Sequence, residues 1–167
     1  MPYFNEKHKY YCGIDLHTQI MYIVVRDSDN QTLTEVNVAA TPAALEKAVK
    51  PYMEDIVIGV ECTFSWYWVS DWCQENNVTF VLGHALYMDS IHQAKKKNDK
   101  EDARKLANML YSKSFPTAYA YPKKMRAIRD LLRRRTKFMH DRAKLYGHIK
   151  ILGHQVNNSF GSLRLNY

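Results

Sequence analysis

The sequence lacks any apolar run of the roughly 18 to 20 residues that a membrane span needs, which leaves no candidate transmembrane helix. It also lacks an apolar stretch at its start, where Met1 to Lys9 are polar and charged, so no secretory signal is expected. Cysteine is scarce: Cys12, Cys62 and Cys73 are an odd number and form no C-x-x-C pair. Reduced thiols in a cytoplasmic protein are the plain expectation, with no structural zinc site. Only 6 glycines and 5 prolines occur in 167 residues, too few for a collagen-like chain. What is present is ordinary for a soluble domain, with 46% apolar and 25% charged residues, so a disordered chain is excluded as well.

The net charge of +7 matters less than its placement. Met1 to Pro122 hold 12 Lys/Arg and 15 Asp/Glu, whereas Lys123 to Lys150 hold 11 Lys/Arg against only Asp130 and Asp141. A slightly acidic globular part is followed by a strongly basic segment, and such asymmetry points to a polyanionic partner for the second part.

Patterning along the chain predicts strands at Tyr10 to Leu16, at Gln19 to Arg26 (almost continuously apolar, hence buried on both faces) and at Thr32 to Val38, which alternates as a half-exposed strand does. Their short links favour antiparallel neighbours. Thr41-Pro42 then reads as a helix start, with Leu45, Val49 and Met53 recurring every four residues. A buried strand from Asp55 ends on Glu61; a helix around Trp68 and Trp72 runs to an Asn76-Asn77 break; Val78 to Gly83 is a fifth strand. After a lysine-rich linker, Asp99 to Ser112 reads as a helix with Ala103, Leu106, Ala107 and Leu110 on its apolar side. Three antiparallel strands followed by right-handed βαβ crossovers make an α/β fold with a mixed five-stranded sheet, the fourth and fifth strands lying beside the first. This is the order of the ribonuclease H-like fold.

Pro116 and Pro122 separate that part from a long basic helix. Met125, Leu132, Met139 and Tyr146 repeat every seven residues, as do Leu131, Phe138, Leu145 and Leu152, which is a coiled-coil or helix-packing signal. The expected organisation is therefore a domain over 1–121, a basic coiled-coil helix over 122–153 and a polar tail over 154–167.

Four acids stand where solvation alone does not put them. Asp15 lies inside the first strand between Ile14 and Leu16, Glu61 closes an apolar strand, and Asp99 and Asp102 share one face at a helix start. In the proposed topology the four converge. Negative charges so close resist ionisation unless a cation neutralises them, and oxygen ligands suit Mg²⁺ or Mn²⁺. Two such ions can stabilise the attacking and leaving oxygens of phosphoryl transfer. Taken singly, Asp99 and Asp102 also suit a first helical turn, and Glu61 a strand end at the surface. Asp15 is the hardest to explain without a partner, because an unpaired carboxylate in a central strand is costly.

Around these acids, His17 lies on the strand face of Asp15 and can touch substrate or metal, though a surface histidine at a strand end fits it better. Phe64, Trp66, Tyr67, Trp68 and Trp72 can stack on bases, but core packing of a helix fits them better. Lys95, Lys96 and Lys97 are candidates for a phosphate backbone or for a solvated loop. Arg126, Arg129, Arg133, Arg134, Arg135 and Lys137 are candidates for nucleic-acid contact, since so few acids balance that helix.

Gly13-Ile14-Asp15, Val60-Glu61 and Lys97-Asn98-Asp99-Lys100-Glu101-Asp102-Ala103 resemble the motifs of the DEDD transposases of the insertion sequence 110 family, which includes the Piv-type invertases. Val81 to Leu86 and Leu131 to Arg135 are similar to that family too, and the likeness spans about Tyr10 to Asn157. It implies a RuvC-like domain that binds divalent metal through Asp15, Glu61, Asp99 and Asp102 and acts in DNA cleavage and strand exchange during transposition. It further implies a coiled-coil linker suited to homo-oligomerisation and, in some members, a structured guide RNA as a partner beside DNA. The family continues into a C-terminal domain with a serine needed for recombination, whereas this sequence stops at Tyr167. The resemblance thus implies a truncated piece, whose Ser159 and Ser162 carry no mark of a nucleophile. Two other readings stay open from the residues alone. One is a non-catalytic nucleic-acid-binding and dimerising module. The other is an actin-like kinase lobe, against which stands the lack of a glycine-rich phosphate loop after Asp15.

Overall fold

The computed structural model describes residues 2–89 and 98–157. Five strands form one mixed sheet: β1 (Tyr10–Leu16), β2 (Ile20–Asp27), β3 (Thr32–Ala39), β4 (Ile56–Glu61) and β5 (Thr79–Gly83). Their order across the sheet is β3-β2-β1-β4-β5. β1 pairs antiparallel with β2 and β2 with β3, while β4 lies parallel to β1 and β5 parallel to β4. The expected ribonuclease H-like arrangement is present, with the first strand at the centre.

Period-two alternation divides the side chains of β1 between two cores. Cys12, Ile14 and Leu16 face one side, where they join Ile23, Val25, Ile58 and Val60 beneath helices α1 (Pro42–Val49) and α2 (Tyr67–Glu75). Thr41 caps α1 by accepting a hydrogen bond from the Ala44 amide at 3.3 Å, as the Thr-Pro start requires. Leu45 and Val49 are the buried residues of its apolar stripe. The second side carries Tyr11, Val57 and Val81 against Leu106 and Leu110 of α4 (Asp99–Tyr111), with Val24 against Ala103 and Ala107 of the same helix.

Two segments differ from the sequence reading. Ala85–Asp89 forms a short helix, α3, where only a linker was expected. Pro116 does not begin a separator. The Thr117 position bridges to Gly83, and the amides of His84 and Ala118 bond to the carbonyls of Pro116 and Leu82 at 2.9 and 2.7 Å. The chain after α4 thereby covers the carboxyl end of the β5 edge, where backbone groups otherwise stand unpaired.

The chain divides into two compact units, Met1–Ala120 and Tyr121–Tyr167. The second contains α5 (Lys123–Gln155), a single helix of 33 residues beginning directly after Pro122. No helix among the described residues is long and apolar enough to cross a membrane.

Candidate metal centre

The site is built on a close approach between a strand and a helix. On β1, Tyr11, Gly13 and Asp15 share the face toward α4. A Cβ at Gly13 would lie 2.3 Å from the Ala107 nitrogen and 2.4 Å from the Ala103 oxygen, so helix backbone occupies the space a side chain would need. The small residues Ala103 and Ala107, one turn apart, make this contact possible. Asp99 lies one further turn toward the start of α4 and therefore arrives beside Asp15, two residues beyond Gly13 on the same strand face. Asn98 fixes where the helix begins, its side chain accepting from the Lys100 amide at 3.2 Å. Asp99, Glu101 and Asp102 then place negative charge in the first turn, which the helix dipole favours.

Asp15, His17 and Asp99 each bring one ligand atom to the site, all within 4.8 Å of one another. His17 Nε2 lies 3.2 Å from Asp15 Oδ2 and 3.5 Å from Asp99 Oδ1. Only 14% of the Asp15 side chain is exposed. Burial pushes its carboxyl above the ordinary carboxylate range; His17 opposes that shift, and the charges of Asp99 and Asp102 add to it. Asp15 is therefore a carboxylate that nearby positive charge relieves. Two carboxylates and an imidazole converging on one point are a donor set that fits a divalent metal ion.

The other two expected ligands stand beside this cluster. Asp102 is near enough for its charge to act on Asp15, and Lys105 Nζ lies 3.3 Å from its Oδ1. Glu61 ends β4 one residue past the Ile14–Val60 pair, so the register puts it next to Asp15 at the carboxyl ends of two parallel strands. It shares the sheet face of Gly59, which is also the face of Gly13 and Asp15.

His17 corrects the sequence reading. It is not a bystander at the strand end but bonds the Asp15 carboxylate and reaches Asp99. The two-residue spacing from Asp15 was the available signal. The aromatic cluster divides: Trp66 and Trp72 are buried in the core as expected, but Phe64, three residues after Glu61, is 81% exposed.

The basic candidates also divide. Lys95, Lys96 and Lys97 lie outside the described residues. Arg126 is buried, its Nε donating to the Tyr121 carbonyl at 2.9 Å. Arg129 pairs with Asp130 at 3.0 Å and sits over the Tyr121 ring, 5.2 Å from its centroid. Arg133, Arg134, Arg135 and Lys137 are exposed on α5.

The family model for the DEDD transposases of insertion sequence 110, described as "Transposase", matches residues 12–152 of the chain. The chain belongs to this family. No curated protein matches it. Family membership and the Asp15–His17–Asp99 cluster together make this transposase chain a metal-dependent catalytic domain, and an enzyme that acts on DNA.

Proposed function

We propose that Asp15, Glu61, Asp99 and Asp102 are the catalytic carboxylates of this transposase and hold Mg²⁺ or Mn²⁺, with His17 as a fifth contributor, for DNA cleavage and strand exchange. The observation that carries this reading is the meeting of Asp15 and Asp99 across the Gly13 contact, in a chain the family match covers. A divalent ion in such a site supplies positive charge to the phosphate oxygens of an in-line displacement. The chain's own part is positional. β1 and β4 present Asp15 and Glu61 from rigid, paired backbone, and α4 delivers Asp99 and Asp102 from one helical turn. Burial of Asp15 keeps its interaction with a cation strong by limiting water. The imidazole favours Mn²⁺ over Mg²⁺ in direct ligation, whereas hydrogen bonding from His17 to the carboxylates leaves an oxygen set open to either ion.

In the same reading residues 1–121 form the catalytic domain, 122–153 the linker helix and 154–167 a tail. Arg133, Arg134, Arg135 and Lys137, with Arg129 in lesser degree, face the polyanion, while the buried Arg126 holds the start of the helix through the Tyr121 carbonyl; Lys95, Lys96 and Lys97 contact the phosphate backbone. DNA is the first such partner, and a structured guide RNA offers the same phosphate chemistry. The exposed stripe of Leu131, Leu132, Phe138, Met139, Leu145 and Leu152 supports homo-oligomerisation through the long helix.

Isothermal calorimetry with Mg²⁺ and Mn²⁺ tests the central claim. Saturable binding to the wild-type chain, lost in both Asp15→Asn and Asp99→Asn, is the expected result. No saturable heat from either ion at neutral pH refutes it.

A further inference from the structure

A second cluster lies one helical turn from the metal centre. Glu35, on edge strand β3 opposite Val24, pairs with Lys100 through Oε1. It also accepts from Arg104 Nε at 2.9 Å and Nη2 at 2.7 Å, both on Oε2. Tyr22 donates its hydroxyl to Oε1 at 2.9 Å. The hydrogen bond from Lys100, followed by those from Arg104 and Tyr22, outweighs burial and holds the Glu35 carboxyl at about 2.

An isolated ion pair at a surface contributes little. This one differs in geometry, because two guanidinium nitrogens hold one carboxylate and a tyrosine from a third element fixes its other oxygen. Its members also neighbour the site directly. Lys100 follows Asp99, Arg104 follows the Ala103 that rests on Gly13, and Tyr22 is the cross-strand partner of Asp15. The cluster therefore ties both halves of the acidic pair, strand and helix, to one carboxylate outside the four acids of the proposed centre.

We propose that Glu35 is a positioning residue of the metal centre, which through Lys100, Arg104 and Tyr22 fixes the first turns of α4 on β2 and β3 and so holds Asp99 at Asp15. The proposal rests on the metal reading above and extends it to a residue outside the DEDD set. Groups that orient metal ligands typically govern about 10 to 100-fold of metal affinity.

The test is Mn²⁺ titration of the 167-residue chain by calorimetry, with thermal unfolding of the metal-free protein recorded in parallel. Glu35→Gln is expected to weaken Mn²⁺ binding about tenfold or more while the protein stays folded at the titration temperature. Glu101→Gln removes an equal charge from the partners of Arg104 but leaves the tie to β3, since Glu101 accepts from the remaining Arg104 nitrogen, Nη1, at 2.9 Å. It is expected to stay within about twofold of wild type. Equal weakening in both variants reduces the effect to net charge and overturns the positioning role. A lowered melting temperature with Mn²⁺ affinity within about twofold of wild type overturns it too, by showing a purely structural contact. If Glu35→Gln does not fold, Arg104→Lys takes its place under the same criteria, because it keeps the charge and loses the two-pronged bond. A wild-type chain that takes up no Mn²⁺ overturns the metal reading itself, and is thereby told apart from a failure at Glu35 alone.

Discussion

Replacing Gly13 by alanine adds one methyl group at the point where β1 and α4 touch. That methyl carbon would sit 2.3 Å from the Ala107 nitrogen, 2.4 Å from the Ala103 oxygen and 2.9 Å from the Leu106 carbonyl carbon. All three are backbone atoms, so no side-chain rotation relieves the overlap. Ordinary contact begins at 3.4 Å, and strand and helix must part by roughly 1 Å to reach it. Overpacking of this kind costs about 1–3 kcal/mol where side chains can adjust, and the upper end applies when a whole helix must move. At about 2–4 °C per kcal/mol, the midpoint of thermal unfolding is expected to fall by roughly 6–12 °C. A second consequence separates this variant from a generic core mutation. Asp99 lies one turn from Ala103, so a helix that retreats from Gly13 draws Asp99 away from Asp15. Mn²⁺ affinity measured well below the unfolding transition is therefore expected to fall as well. Circular dichroism melts and calorimetric titration read the two effects. A Gly13→Ala protein that melts within about 2 °C of wild type and binds Mn²⁺ equally well would show that α4 does not depend on the missing side chain.

Two further outcomes follow from charge. Asp15 ionises at higher pH in the folded protein than in the unfolded chain, so its contribution to metal-free stability is complete below the ordinary carboxylate range and disappears as pH rises through the raised value. Asparagine carries no such penalty. The melting temperature of metal-free Asp15→Asn is therefore expected to gain on wild type from about pH 4 upward, with added Mn²⁺ reversing the order by stabilising wild type alone; a gap independent of pH contradicts this. On α5, replacing Arg133, Arg134 and Arg135 together by alanine is expected to weaken DNA binding at all sequences and to reduce the slope of log K against log salt by up to about 3 units, measured by fluorescence anisotropy. An unchanged slope places the phosphate contacts elsewhere.

The elements legible in the sequence were those whose signal is local. The β-like run of β1, the alternation of β3, the continuous apolar run of β2 and the Thr41-Pro42 start of α1 each report a backbone preference within a few residues, and each is found in the structure. Asp15 was legible for the same reason, as a carboxylate among apolar neighbours. α3 was not, because a five-residue helix has too few turns to show periodicity. The edge pairing of residues 116–118 was hidden too, since its partners, Leu82, Gly83 and His84, come from a distant stretch of chain.

The same distinction explains what was missed at the site. His17 looks like a surface residue from its own strand, and its second partner arrives on a helix far along the sequence. Glu35 looks like an ordinary polar position on an alternating edge strand, because Arg104, which grips it, is 69 residues away. Arg126 shows the converse. Within a basic helix it reads as one more cation for a polyanion, yet its guanidinium is spent on the Tyr121 carbonyl. Periodicity tells which face a side chain shares, and nothing about what another element lays across that face. The acids proposed to hold the ion stand among apolar neighbours, at a strand end or in a first helical turn, so their type and place betray them. Groups that hold those acids in place need only find a complementary charge, which almost any surface position can supply. Positioning residues such as Glu35 therefore become visible only when strand and helix are seen together, and they are where variants outside the four motif acids should change metal affinity most.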